Sequence, residues 1–210
     1  MDWFRRIAKD SPPVDATREA RKQTPSVSGE RTSPALAAFF DRVSEDRSHA
    51  VLDLGPASEA SMRLFGRYAR WIRFADLSDA ETAPGGWEAA LASLPRDSTR
   101  PFDLIFAWDI FDRLEPERRP ALMARITELT APDARLYVAV DASARPETAP
   151  LRFSLLDSDR MRYEQAGPPR PPFPRMLPTE VERMLEPFRV IKAFTSQLGL
   201  REYVAIRGKG

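Results

Sequence analysis

The sequence predicts an α/β fold, built as a single doubly wound sheet of mainly parallel strands. Short runs of β-branched and aliphatic residues alternate along the chain with longer stretches whose apolar residues recur at helical spacing. Strands that alternate with helices pair in parallel through right-handed crossovers. The chain has 210 residues, of which 42% are hydrophobic, and this is enough for one sizeable core. We therefore expect a single domain.

The predicted elements follow one another in a regular order. The first helix is supported by apolar residues at the spacing of an amphipathic helix, namely Leu36, Phe39, Phe40 and Val43. The full order is helix 34–43, strand 50–54, helix 59–69, strand 71–75, helix 87–94, strand 103–107, helix 117–129, strand 135–140, helix 179–185, and closing strands 187–194 and 199–207.

Two of the later helices carry recognisable end signals. Pro116 stands at the start of helix 117–129, where proline is favoured because the first helical N–H groups have no intrahelical partner. Helix 179–185 opens with Thr179 and has Glu182 three residues on, which is the spacing of a capping box. These signals indicate where the last part of the chain becomes helical.

The turn after strand 50–54 is the strongest functional signal in the chain. The strand ends in Asp53, and it is followed by Gly55, a residue that permits a sharp backbone reversal. Ser58 is a suitable N-cap for the next helix, which begins near Glu59. Because ligands of open α/β sheets bind at the carboxyl ends of the strands, this turn is a candidate site for a nucleotide-type cofactor.

The composition of this turn disfavours a dinucleotide. The dinucleotide fingerprint requires glycines at 55, 57 and 60, but the chain has Gly55, Ala57 and Ala60. Pro56 removes an N–H donor, and Glu59 places a carboxylate in the first helical turn, so a pyrophosphate is repelled there. S-adenosylmethionine has no phosphate and carries an ammonium and a sulfonium, and an acidic turn suits it better.

Several segments together resemble the class I S-adenosylmethionine-dependent methyltransferases, a family with a Rossmann-like sheet. Segment 51–55, Val-Leu-Asp-Leu-Gly, is similar to the first motif of the family, and segment 73–77, Arg-Phe-Ala-Asp-Leu, is similar to its second strand. Segment 101–114 is similar to its fourth strand and the turn after it. The two closing strands are similar to the family's C-terminal antiparallel hairpin. The resemblance implies S-adenosylmethionine as cofactor and methyl transfer to an unidentified acceptor as activity.

The resemblance also implies which residues hold the cofactor. Asp53 anchors the amino group, Asp76 holds the ribose hydroxyls, and Trp108 packs its ring against the cationic sulfonium. Asp109, just past the fourth strand, orients a nucleophile or binds the cofactor, and it is the candidate for a catalytic role. The full implied set is Asp53, Gly55, Ala57, Asp76, Trp108 and Asp109.

Each of these side chains also has a structural alternative. Asp53 is equally suited to capping the backbone of its own turn. Asp76 fits the turn that follows it, and Trp108 fits the hydrophobic core. Asp109 is suited to capping its turn toward Arg113. Both the cofactor-binding role and the structural role therefore stay open for these residues.

The glycine turn departs from the pattern of the family. The second and third glycine positions hold Ala57 and Glu59, whose side chains narrow or fill the space for the methionine part of the cofactor. No convincing strand is found between residues 79 and 100. A second class of function therefore stays open, that of a catalytically inactive methyltransferase-like module that uses the same sheet for contacts with another protein.

The flanks of the predicted domain differ from its centre in composition. Residues 1–33 are rich in Pro, Ser, Thr and charge, and we expect a disordered arm before a domain over 34–210. At its tip, Trp3, Phe4 and Ile7 share one face of a short helix, which would suit a membrane surface or a protein groove. The alternative is that these side chains fold back on the domain.

A second unusual segment, 151–178, is rich in Pro and Arg. The resemblance places there an insertion or lid that covers the substrate. Its arginines either bind an anionic substrate or pair with the acidic residues nearby.

Composition excludes several other classes of protein. A net charge of +1 provides no electrostatic case for nucleic acid, and the absence of cysteine excludes disulfides and thiol chemistry. His49 is the single histidine, so no metal site is predicted. The chain has no apolar run of membrane-spanning length and no signal-peptide core, and we expect a soluble cytoplasmic protein.

Overall fold

The computed structural model describes residues 28–78, 80, 85–95, 100–143, 149–169 and 173–208. The strands are β1 Ser28–Thr32, β2 His49–Asp53, β3 Ala69–Phe74, β4 Phe102–Trp108, β5 Thr130–Asp141, β6 Leu151–Asp157, β7 Arg160–Gln165, β8 Phe188–Thr195 and β9 Leu200–Arg207. The helices are α1 Pro34–Phe40, α2 Glu59–Tyr68, α3 Gly86–Ser93, α4 Ile110–Arg113, α5 Arg119–Leu129 and α6 Pro178–Met184, and a 3₁₀ turn at Pro116–Arg118 precedes α5.

The centre of the molecule is a six-stranded sheet in the order β3-β2-β4-β5-β9-β8. Strands β2 to β5 pair in parallel, and the mainly parallel sheet that the sequence predicts is confirmed. Strand β9 is antiparallel to both β5 and β8, where the sequence predicts the closing hairpin. Between β3 and β4 the described residues contain α3 and no strand, so β3 forms one edge of the sheet.

Helices cover both faces of this sheet, as a doubly wound fold requires. One face packs against α1 and α2 through a layer of aromatic side chains, in which the rings of Phe39 and Phe65 pack at a tilt against Phe106 of β4. The other face packs against α3, α5 and α6. Chain order reverses at β2, because β3 lies on one side of it and β4 on the other. Ligand crevices of open α/β sheets lie at such a switch point.

A second, three-stranded antiparallel sheet has the order β1-β7-β6. It corrects the predicted arm of 1–33, because Ser28–Thr32 form β1 and pair along β7. Composition missed this strand because its pairing partner lies far along the chain. The part of the arm that carries Trp3, Phe4 and Ile7 lies outside the described residues.

The predicted insertion 151–178 begins with the hairpin of β6 and β7. Arg160 and Arg162 of this hairpin pair with Glu30 of β1, at 3.2 and 2.7 Å. These two arginines therefore form ion pairs, although their partner is on β1 and not among the acidic residues that neighbour them in sequence.

The start of α6 also differs from the prediction. The helix begins at Pro178, and the N–H of Leu177 donates to the Glu180 carboxylate at 2.6 Å. Thr179, the predicted N-cap, and Glu182 therefore both lie inside the helix. The reason is that Pro178, with its fixed φ, takes the first helical position. No helix within the described ranges is long and apolar enough to span a bilayer.

Candidate functional site

Backbone hydrogen bonds bring three strand ends together at the switch point. The N–H of Leu54, after β2, donates to the carbonyl of Phe106 at 2.9 Å. The N–H of Ala75 donates to the carbonyl of Asp53 at 2.8 Å, and the N–H of Leu77 donates to that of Leu54 at 2.9 Å. The turns after β2, β3 and β4 therefore form one continuous edge, on which the acidic residues predicted from the sequence lie.

Asp53 is buried at the centre of this edge, with 1% of its surface exposed. Its Oδ1 accepts hydrogen bonds from the backbone N–H of Gly55 at 2.8 Å and from the indole N–H of Trp108 at 2.6 Å. Burial raises the pKa of this carboxyl to about 7, against the lowering effect of the two hydrogen bonds, and the charge of Asp76 raises it further. Asp53 thus caps its own turn and also titrates near neutral pH.

Glycine is needed at position 55 because a side chain there would collide with its neighbours, and not because the backbone conformation demands it. Its φ lies outside the left-handed region, but a Cβ at this position would lie 2.9 Å from the Trp108 indole nitrogen and 3.2 Å from the Asp53 Oδ1. Any larger residue would push the indole away from the carboxylate. The predicted reason for this glycine, a sharp backbone reversal, is therefore wrong, and the observed reason is the close approach of Trp108.

Trp108 is held in an uncommon conformation at the end of β4. Its φ is +48°, in the left-handed region that L residues other than glycine rarely adopt. The indole ring stacks against Phe106, with centroids 5.5 Å apart, and against Phe153 of β6, with centroids 5.2 Å apart. Such strained residues cluster at functional sites. The structure assigns Trp108 to a buried stack that also orients Asp53.

Asp76 has a different environment, because it is exposed just beyond β3. Its Oδ1 accepts the N–H of Ser78 at 2.9 Å, which is the turn role that the sequence left open. Ala57 and Glu59, at the degenerate glycine positions, are also exposed. Glu59 pairs with Arg63 along α2 at 2.6 Å, with 85% of its side-chain surface exposed. The Glu59 carboxylate is therefore held along its own helix, and the expectation that it fills the cofactor space stays a prediction.

Asp109 is buried and forms an ion pair with Arg113, at 2.6 Å between Oδ1 and a guanidinium nitrogen. The same guanidinium donates to the main-chain carbonyl of Ser78 at 3.1 Å and to that of Leu151. Asp109 precedes α4 but makes no side-chain capping hydrogen bond, so the predicted capping role is wrong. Its carboxylate instead forms an ion pair with Arg113, one helical turn further along the chain.

Sequence reasoning missed two further groups at this edge. Burial raises the pKa of Asp112 to about 7, with added repulsion from Asp109 and Asp141. Phe153 covers the indole of Trp108 from the hairpin. The alternation of Leu151, Phe153 and Leu155 is a strand signal that could have placed Phe153. The described part of the chain contains no cluster of three or more metal-ligating side chains.

Comparison with solved structures identifies the fold. The 1,6-didemethyltoxoflavin-N1-methyltransferase of Burkholderia thailandensis, with bound 1,6-didemethyltoxoflavin and S-adenosylhomocysteine, is similar over 84% of this chain and 77% of its own, with 18% identity and a TM-score of 0.50. CalS10, an S-adenosylmethionine-bound amino pentose methyltransferase from Micromonospora echinaspora, is similar over 82% and 89%, with 14% identity and a TM-score of 0.49. An S-adenosylmethionine-dependent methyltransferase of Mesorhizobium loti is similar over 83% and 96%, with 13% identity and a TM-score of 0.45.

The chain therefore has the fold of the class I S-adenosylmethionine-dependent methyltransferases, and the resemblance drawn from its motifs is confirmed at the level of the fold. No family model and no curated protein matches the sequence.

Proposed function

We propose that the protein binds S-adenosylmethionine at the switch point and transfers its methyl group to an acceptor. The observation that carries the proposal is the placement of Asp53 and Asp76 at the carboxyl ends of two adjacent parallel strands, one carboxyl buried and the other exposed. This is where an open α/β sheet binds its ligand, and the fold is that of a solved methyltransferase with bound S-adenosylhomocysteine, the product that S-adenosylmethionine leaves after methyl transfer.

The residues of the edge fit the polar groups of this cofactor. The Oδ1 of Asp76 accepts the N–H of Ser78 for its turn, and a carboxylate has further lone pairs with which to accept hydrogen bonds from the two ribose hydroxyls. Asp53 titrates near neutrality, so a cationic ammonium beside it would favour the ionised form. Ala57 and Glu59 are both exposed, and the Glu59 carboxylate pairs with Arg63 along α2.

The cofactor supplies an electrophilic methyl group on a sulfonium, and the protein supplies alignment. Transfer by in-line displacement is accelerated chiefly by holding donor and acceptor close together, and this needs no dedicated base. Asp109 is neutralised by Arg113 and shapes the wall of the site. Where the acceptor must lose a proton, Asp112 is a carboxyl at this edge with a pKa matched to neutral pH.

A second candidate, a catalytically inactive module that contacts another protein, is favoured by one specific observation. The indole of Trp108 lies so close to Gly55 that it fills the space directly beside the glycine turn. If the methionine part of the cofactor requires that space, the site is closed, and the sheet serves as a scaffold. Binding of the cofactor therefore separates the two functions.

The exchange Asp76→Asn tests the proposed cofactor site. Asparagine keeps an oxygen for the N–H of Ser78 but removes the charge that ribose hydroxyls prefer, so affinity for S-adenosylhomocysteine is expected to fall about 10-fold to 100-fold. Isothermal titration calorimetry measures the change. Glu59→Gln is the matched control, because it neutralises a nearby exposed carboxylate whose partner is Arg63 of the same helix. Equal affinity in the wild type and the Asp76→Asn variant would place the ribose elsewhere.

A further inference from the structure

Arg113 joins three separate parts of the site through one guanidinium. Its side chain is buried, and it pairs with Asp109 at the end of β4. It also donates to the carbonyl of Ser78, which lies two residues after the proposed ribose ligand, and to the carbonyl of Leu151, which opens β6. The N–H of Leu151 approaches the Asp109 carboxylate at 3.5 Å, so the contact between hairpin and turn is made from both sides.

We propose that Arg113 is a positioning residue that couples the turn after β3 to the β6–β7 hairpin, so that the two walls of the site open and close together. The β3 turn carries the cofactor side of the proposed site. The hairpin covers its other side, because Phe153 stacks on Trp108. The cofactor-dependent part of this inference rests on the proposed function, and the coupling itself does not.

The chemistry of arginine explains why one residue can serve this purpose. A guanidinium has five N–H donors in a planar fork, and it can therefore satisfy a carboxylate and two main-chain carbonyls at the same time. Lysine keeps the charge, but its ammonium is a compact group on a flexible stem. An Arg113→Lys variant therefore retains a cation beside Asp109 while it loses the fixed geometry that holds both carbonyls.

Native-state hydrogen exchange on the full chain tests the coupling without any ligand. The N–H of Leu77 is bonded to the carbonyl of Leu54 and reports on the β3 turn, and the N–H of Ala166 is bonded to the carbonyl of Pro150 and reports on the base of the hairpin. In the wild type we expect both amides to exchange through one shared opening, with the same opening free energy and the same denaturant dependence.

In Arg113→Lys we expect both amides to exchange about 10-fold or more faster and with different denaturant dependences, because each segment loses a hydrogen bond to a charged group. The control is Arg118→Lys in the 3₁₀ turn, which should alter neither amide. Unequal opening free energies in the wild type, or acceleration of only one amide in Arg113→Lys, would overturn the proposal. The wild-type comparison decides the matter if the variant does not fold.

A second set of hydrogen-exchange measurements is made in the presence of S-adenosylhomocysteine. In the wild type it should slow exchange at Leu77 and at Ala166, whereas in Arg113→Lys it should slow exchange at Leu77 alone. Slowing of both amides in the variant would contradict the role of Arg113. If the ligand changes neither amide in the wild type, the proposed function fails, and the ligand-free comparison still decides whether Arg113 couples the two segments.

Discussion

Replacement of Arg31 by methionine is expected to lower the free energy of unfolding by about 3–5 kcal/mol, the typical cost of leaving one charge of a buried pair without its partner. Arg31 of β1 reaches into the core and pairs with Glu202 of β9 at 2.7 Å. Glu202 has 1% of its surface exposed, and it accepts hydrogen bonds from the hydroxyls of Tyr137, at 2.7 Å, and Ser33. Removal of the guanidinium leaves this carboxylate buried in an apolar layer. Urea denaturation measures the loss.

Two further variants make this expectation specific. Arg162→Met removes an arginine from the same small sheet whose partner Glu30 is half-exposed, and it should cost less than about 1 kcal/mol. Glu202→Gln in the Arg31→Met background should recover part of the stability, because the amide oxygen still accepts the hydroxyl of Tyr137 without a charge. Equal losses in Arg31→Met and Arg162→Met would mean that β1 is not anchored through Glu202.

The exchange Asp53→Asn is expected to raise the free energy of unfolding at about pH 8 by as much as about 4 kcal/mol, since the pKa rises from 3.8 to about 7 on folding and each unit represents about 1.4 kcal/mol. The folded state keeps its proton until about pH 7, whereas the unfolded chain releases it near pH 3.8. Asp53 therefore stabilises the fold least above pH 7. Asparagine still accepts the hydrogen bonds from Gly55 and Trp108 without this cost.

The pH dependence distinguishes this effect from a general gain in stability. The difference between Asp53→Asn and the wild type should vanish below about pH 3, since both states are then protonated, and grow as the pH rises from 3.8 to about 7. Asp112 has a pKa raised in the same way and contributes equally to both proteins, so it cancels in the difference. Asp46→Asn is the control, because hydrogen bonds from Ser48 lower the pKa of that exposed carboxyl, and no gain is expected at high pH. A difference that does not change with pH would contradict the assignment.

The turn after β2 and strand β1 differ in how far the sequence predicts them. The turn after β2 and the helix that follows it are local signals, and the helix predicted over 59–69 is observed as Glu59–Tyr68. Strand β1 has no such signal, because its charged residues are typical of an exposed arm. Its residues are exposed or half-exposed, and its ion pair with the core is made to Glu202, which lies far along the chain, so no local pattern reveals that partner.

In the candidate site, the positions of the acidic residues can be predicted from the sequence, whereas their surroundings cannot. The positions of Asp53 and Asp76 at strand ends follow from the alternation of strands and helices, and the structure places them on one edge. What occupies the space between the strand ends depends on tertiary packing. The stack of Trp108 with Phe153 joins β4 to the β6–β7 hairpin, and the hydrogen bonds from Arg113 to main-chain carbonyls depend on how three segments meet.

Calorimetric titration of the full chain with S-adenosylmethionine, at about pH 6 and about pH 8 in buffers of different ionisation enthalpy, tests the central claim most directly. The account predicts micromolar binding that is about ten-fold tighter at the higher pH, with proton release at the lower pH, because a cation beside Asp53 favours its ionised form and the pKa is about 7. Absence of binding up to millimolar ligand, with protein shown to be folded, would contradict the proposed cofactor site and favour the inactive module.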